Sequence, residues 1–132
     1  MPEGIIELAT QVVDAINRFD LSRLIELTDP EVKWHSFFAL GEGGVYSGHD
    51  GMRRYIRDIE DAWEMLRVEI DDALALGQVT LLVGRLHYRG KGSGVETASS
   101  AGWVLTVSNG RVMSLRAFLE PEEALKAVGL PR

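Results

Sequence analysis

Histidine is the side chain best suited to moving protons near neutral pH, and this chain carries three of them, His35, His49 and His87. His35 lies in the alternating run Val32-Lys33-Trp34-His35-Ser36, where it is the candidate catalytic base beside an aromatic neighbour. The same alternation sends Trp34 and His35 to opposite faces of a strand. A catalytic His35 therefore competes with a histidine on the outer face or in a contact between two copies. His49 stands where a helix should begin, a place where the helix dipole disfavours an imidazolium, and reads as a surface residue. His87 alternates with Arg85 and Arg89, which suits an outward, partly polar strand face. The three are irregularly spaced and the chain has no cysteine, so no metal-ligand pattern exists and no cofactor is expected.

Binding chemistry is better represented than catalytic chemistry. Trp34, Tyr46, Tyr55, Tyr88 and Trp103 could turn toward one cavity, where flat rings and occasional hydroxyls grip and orient an apolar molecule. Ser36 shares the face of Trp34, Leu86 shares the face of Tyr88, and Leu115 alternates with Arg116, so these three join the expected ligand-binding set. Plain core packing is the competing account; it is preferred for Trp63 and Phe19 and stands level with the pocket for Tyr88 and Trp103. Gly84, on the face of Tyr88 and Leu86, would leave space there. Asp72 is in phase with Val68, Ile70 and Leu74, so it either faces inward as a perturbed acid or lies beyond a bulge in solvent. Arg116 faces away from Leu115 and Ala117, as a partner for acids across a dimer face. The run Gly90-Lys91-Gly92-Ser93-Gly94 lacks the Gly-Lys-Ser/Thr ending of a phosphate loop and reads as a hairpin tip. No Gly-x-Ser-x-Gly elbow offers an anchor for a hydrolase triad.

The elements that must position these side chains follow from periodicity. Ile5, Leu8, Val12, Ile16 and Phe19 step at helical spacing from Pro2 onward. Asp20 is placed to cap a second short helix carrying Leu21, Leu24, Ile25 and Leu27, which Asp29-Pro30 stops. Alternation predicts a strand over residues 31–38, and Gly41-Glu42-Gly43-Gly44 reads as loop. Met52, Tyr55, Ile56, Ile59, Trp63 and Leu66 predict a third helix. Strands are expected over 68–76, 79–89, 95–107 and 112–119, and the breaks between them, including Ser108-Asn109-Gly110, are short enough for hairpins. Residues 121–127 read as a closing helical turn or two, with Gly129 as the stop. Helices followed by a meander place the chain in the α+β class, with the helices on one face of a curved antiparallel (mixed) sheet. The long strands look apolar on both faces, and a second copy of the chain would cover the outer one.

Composition bounds the remaining possibilities. A length of 132 residues suits one domain over residues 1–132, and 45% hydrophobic with 26% charged residues is a globular profile. A formal net charge of −6 argues against nucleic acid and anionic membrane as partners. No apolar run reaches the roughly 18 residues that cross a bilayer, and the start Met1-Pro2-Glu3 has no basic leader region, so a cytoplasmic protein is expected.

Four strings in this order are familiar: Ala15-Ile16-Asn17-Arg18-Phe19-Asp20-Leu21, Asp29-Pro30-Glu31-Val32-Lys33-Trp34-His35, Tyr46-Ser47-Gly48-His49-Asp50-Gly51, and Asn109-Gly110-Arg111-Val112 running into Arg116-Ala117-Phe118-Leu119. On these the chain resembles the SnoaL-like branch of the nuclear transport factor two-like superfamily, which also contains ketosteroid isomerase. The resemblance implies a cone-shaped α+β barrel, a deep pocket between sheet and helices that takes a small hydrophobic molecule, and a homodimer through the outer sheet face. The activities it spans include isomerases, cyclases and hydrolases as well as proteins without chemistry, so weak acid-base catalysis and a non-catalytic homodimeric module both remain open. Ketosteroid isomerase chemistry needs a carboxylate base near the end of the first strand and a Tyr and a protonated Asp as oxyanion donors. The matching positions here hold Trp34, His35 and Ser36, then Val12, then Gly102 or Trp103, and that reaction is rejected.

Overall fold

The computed structural model describes residues 2–36 and 45–129. Helix α1 (Pro2–Asn17) buries Leu8, Ala9, Val12, Ala15 and Ile16 along one stripe and holds an exposed Asp14–Arg18 ion pair at 3.3 Å. Phe19 then takes a left-handed φ of 54°, which turns the chain so that Asp20 can cap α2 (Leu21–Leu27) by accepting the Arg23 N–H at 3.1 Å. The end of α2 comes from Thr28, whose buried hydroxyl donates to the Leu24 carbonyl at 2.8 Å while its own backbone is already extended. Strand β1 (Thr28–His35) therefore starts ahead of residue 31 and runs through Asp29-Pro30. The expected end of that strand at residues 37–38 and the loop at Gly41-Glu42-Gly43-Gly44 lie outside the described residues.

Strand β2 (Val45–Ser47) is too short to leave a periodic signal, yet it pairs antiparallel with β1 and sets Tyr46 opposite Trp34. Helix α3 (Gly48–Ala62) buries Met52, Tyr55, Ile56 and Ile59. It stops before Trp63 and Leu66, which the helical spacing had included. Both belong to strand β3 (Trp63–Leu76), where Trp63 lies opposite Gly90 and Leu66 opposite Tyr88. Their three-residue spacing fits the helical period, and the strand accommodates it through the register shift between Trp63 and Met65, pairing with the long strand beside them deciding the outcome. Strands β4 (Val79–Gly90), β5 (Glu96–Ser108) and β6 (Arg111–Phe118) complete the meander, and helix α4 (Pro121–Ala127) follows.

The six strands form one open, curved sheet in the order β2-β1-β6-β5-β4-β3. All neighbours are antiparallel except β1 and β6, which run parallel, so the sheet is mixed. One hydrophobic cluster joins α1, α2 and α3 to the inner sheet face, including Trp34, Leu86, Trp103, Leu105 and Leu115. Helix α4 departs from the expected one-sided arrangement by packing on the outer face. Gly102, whose neighbours Ala101 and Trp103 are inner residues, is its seat: a Cβ there would stand 2.7 Å from the Ala124 Cβ. Part of the cover expected from a second copy thus comes from the chain itself, and Leu81 on that face is only 3% exposed. No helix among the described residues is long and apolar enough to cross a membrane.

Candidate functional site

The inner face brings together side chains from five elements. Trp34 and Ser36 come from β1 and its end, Tyr55 from α3, Leu86 from β4, Trp103 from β5 and Leu115 from β6, and all six line one apolar cavity. Ile16, Leu66, Val68 and Ala117 complete its wall. Strand alternation explains the set: Trp34 and Leu115 are register partners in the parallel pair, Val68 and Leu86 in the antiparallel one, and each pair points the same way. Most of the wall is buried, and the half-buried Ser36 and Ala117 form its wetter rim. The open space is about 20 Å³, room for roughly one water molecule. A second void of about 10 Å³ adjoins it, lined by Val12, Val13, Leu82 and Leu105, and shares Ile16, Val68, Trp103 and Leu115 with the first.

Tyr55 brings a buried phenol to this wall. Burial pushes its phenol up to about 12, the neighbouring Tyr46 adds to that rise, and a hydrogen bond from the Trp34 indole N–H acts in the opposite direction. At neutral pH the group is a neutral hydroxyl, able to donate to a carbonyl or hydroxyl oxygen and unable to serve as a base. Its ring lies 5.5 Å from that of Trp34, tilted by 53°, and 5.5 Å from that of Tyr46 at 66°. Such tilted and edge contacts hold the rings in fixed relation.

Three residues read from the sequence as site candidates are not brought to the cavity. Tyr46 is 1% exposed and sits behind Tyr55, where its hydroxyl donates to Asp58 Oδ2 at 2.6 Å and the Arg54 guanidinium lies 5.8 Å from its ring centre. Tyr88 keeps to the inner face but lies farther along β4, edge-on to Trp63 at 5.3 Å with its hydroxyl 3.3 Å from Ser99 Oγ. His35 points to the outer face beside Arg116, its register partner in β6. Burial first, and then the Arg116 charge, lower its imidazole below the ordinary value, so it is neutral at pH 7, but on the face away from the cavity.

Other expectations resolve locally. His49 is half-buried and not a free surface residue: its Nε2 stands 3.0 Å from the Thr28 carbonyl, which ties the start of α3 to the start of β1. His87 and Arg85 do occupy the outer polar face, with His87 Nε2 2.8 Å from Glu69 Oε1 and Arg85 bridging Glu69 and Asp71. The His87 hydrogen bond, with Arg85 beside it, lowers the Glu69 carboxyl. Asp72 follows a bulge after Ile70 and is exposed, accepting the Ala73 N–H at 2.9 Å. That bulge also consumes the space assigned to Gly84, because a Cβ there would overlap the Glu69 carbonyl oxygen. Leu66 was hidden from the site by its helical spacing, whereas Val68 and Ala117 could have been found as period-two neighbours of Ile70 and Leu115.

The comparisons agree with this architecture. A search of curated proteins finds no match. Among solved structures, a nuclear transport factor two-like protein of unknown function from Burkholderia pseudomallei superposes with a TM-score of 0.78 at 19% identity, covering 96% of this chain and 98% of that one. A protein of ketosteroid isomerase-like fold from Catenulispora acidiphila, in complex with trimethylamine, gives 0.77 at 18%, covering 95% and 94%. TerC, co-crystallised with polyporic acid, gives 0.77 at 14%, covering 93% and 96%. At these identities the likeness shows the fold. Residues 9–115 match the family model described as a SnoaL-like domain, and the chain belongs to that family.

Proposed function

We propose that this protein binds a small hydrophobic molecule between α1, α3 and the inner sheet face, with the neutral Tyr55 hydroxyl and Ser36 as its polar contacts. The observation that carries the reading is the convergence of Trp34, Tyr55 and Trp103 from three different elements on one apolar cavity. A space of about 20 Å³ does not admit such a ligand as it stands, so binding requires side chains at the Ser36 and Ala117 rim to yield. The shared fold supports the reading in kind, since one relative holds trimethylamine and another was crystallised with polyporic acid. No histidine or carboxylate lines the cavity among the described residues, which favours binding over general-base catalysis.

The same small volume favours a second reading, a non-catalytic module whose aromatic residues are core and which works as a homodimer through its outer face. Leu74, 45% exposed beside the half-buried Val83, supports an apolar contact there. Titration with 2-naphthol, followed by the indole N–H signals of Trp34 and Trp103, separates the two. The binding reading expects saturable shifts that vanish in Ala117→Leu, which fills the rim. Absence of any shift in the wild type, together with a dimer in sedimentation equilibrium, would leave the module.

A further inference from the structure

A second concave site lies on the outer sheet face, against α4. It is a groove of about 290 Å³ with a floor of Leu76, Val79 and Val104, a wall of Ala127 and Val128, and Arg116 in its lining. The volume approaches the roughly 300–1,000 Å³ of small-molecule sites. Its charge is opposite to that of the whole protein: acids outnumber Lys and Arg by 20 to 14 along the chain, yet none lines this groove. Arg116 is exposed, has no ion-pair partner among the described residues, and lies with its guanidinium carbon 5.1 Å from the Phe118 ring centre. That stacking reduces the freedom the side chain would lose on pairing with an anion, and a guanidinium suits a carboxylate through two parallel hydrogen bonds. The half-buried Thr106 offers a further hydroxyl in the lining.

We infer that this groove binds a small amphipathic carboxylate, its aliphatic or aryl body on Leu76, Val79 and Val104 and its carboxylate on Arg116. The inference does not rest on the central cavity. Groove and cavity are separated by the sheet, since Val104 faces outward between the inward-facing Trp103 and Leu105.

Octanoate is the probe, with 1-octanol as its neutral counterpart, and backbone amide shifts are followed in the wild type, Arg116→Gln and Ala127→Trp. The expected result is saturable movement of the Val104, Thr106, Ala127 and Val128 signals by octanoate. Affinity should fall about tenfold or more in Arg116→Gln, as loss of a charge-assisted pair implies, and binding should disappear in Ala127→Trp, which closes the groove. Equal affinity for 1-octanol would overturn the inference by removing the role of charge. Shifts confined to the Trp34 and Trp103 indoles would overturn it too, while supporting the central cavity. So would a stable dimer whose contact already covers these four residues.

Discussion

The Tyr46 hydroxyl donates to Asp58 at 2.6 Å, joining the short edge strand β2 to the middle of α3. This bond fixes the back of the Tyr55 ring, because Tyr46 meets Tyr55 edge-on at 5.5 Å. Replacing Tyr46 by Phe keeps the rings and leaves the half-buried Asp58 carboxylate without that donor. A loss of about 1.5–3 kcal/mol is expected for a hydrogen bond to a charged group, read from urea unfolding. An unchanged midpoint would show that water replaces the phenol at no cost.

Ile16 lines both voids, of about 20 and 10 Å³. Ile16→Ala should merge them and lower stability by about 2–5 kcal/mol, as large-to-small changes in cores do. If the cavity is a collapsed ligand site, the same variant should bind 2-naphthol more tightly than the wild type. A stability loss with unchanged or absent binding would instead mark Ile16 as core alone.

Tyr55 should govern stability in alkali. Its phenol ionises near 10 in the unfolded chain and at about 12 in the folded one, so the folded state holds the proton longer. Stability associated with Tyr55 is therefore fully present below pH 10 and is lost as pH rises toward about 12, by on the order of 2–3 kcal/mol. Comparing pH-dependent unfolding of the wild type with Tyr55→Phe isolates it from the other tyrosines. Parallel curves for the two proteins would contradict the assignment.

His35 should titrate below 6.5 when followed by its ring proton signals, because burial and Arg116 both disfavour its charged form. The depressed value means that its stability contribution is present above pH 6.5 and is lost as pH falls through the folded value. Arg116→Gln removes the smaller of the two causes, so the titration should move part of the way back toward 6.5. No movement would mean that burial alone sets the value.

Much of the architecture was legible because it depends on local periodicity. The stripe from Leu8 to Ile16, the Asp20 cap, the long alternating strands and the Asn109-Gly110 turn each impose one backbone conformation within a few residues. Alternation also separated Trp34 from His35, set Leu86 on the face of Tyr88 and set Leu115 with Ala117 opposite Arg116 before any contact was known. These are statements about which way a side chain points, and a strand decides that with its own pleat.

What only the tertiary structure decided concerns distances between elements. Trp63 and Leu66 fit a helix by spacing and became strand because β4 offered a ladder opposite them. Gly84 looked like room for a ligand and is filled by the bulged backbone of β3. Tyr46 and Tyr88 carry the right chemistry yet stand outside the cavity, one behind Tyr55 and the other farther along its strand. Helix α4 crosses to the outer face because Gly102 leaves a seat for Ala124. A single sequence encodes facing well, since facing repeats every two or 3.6 residues; how closely two faces approach depends on side chains far apart along the chain, and that spacing sets how much empty space a site retains.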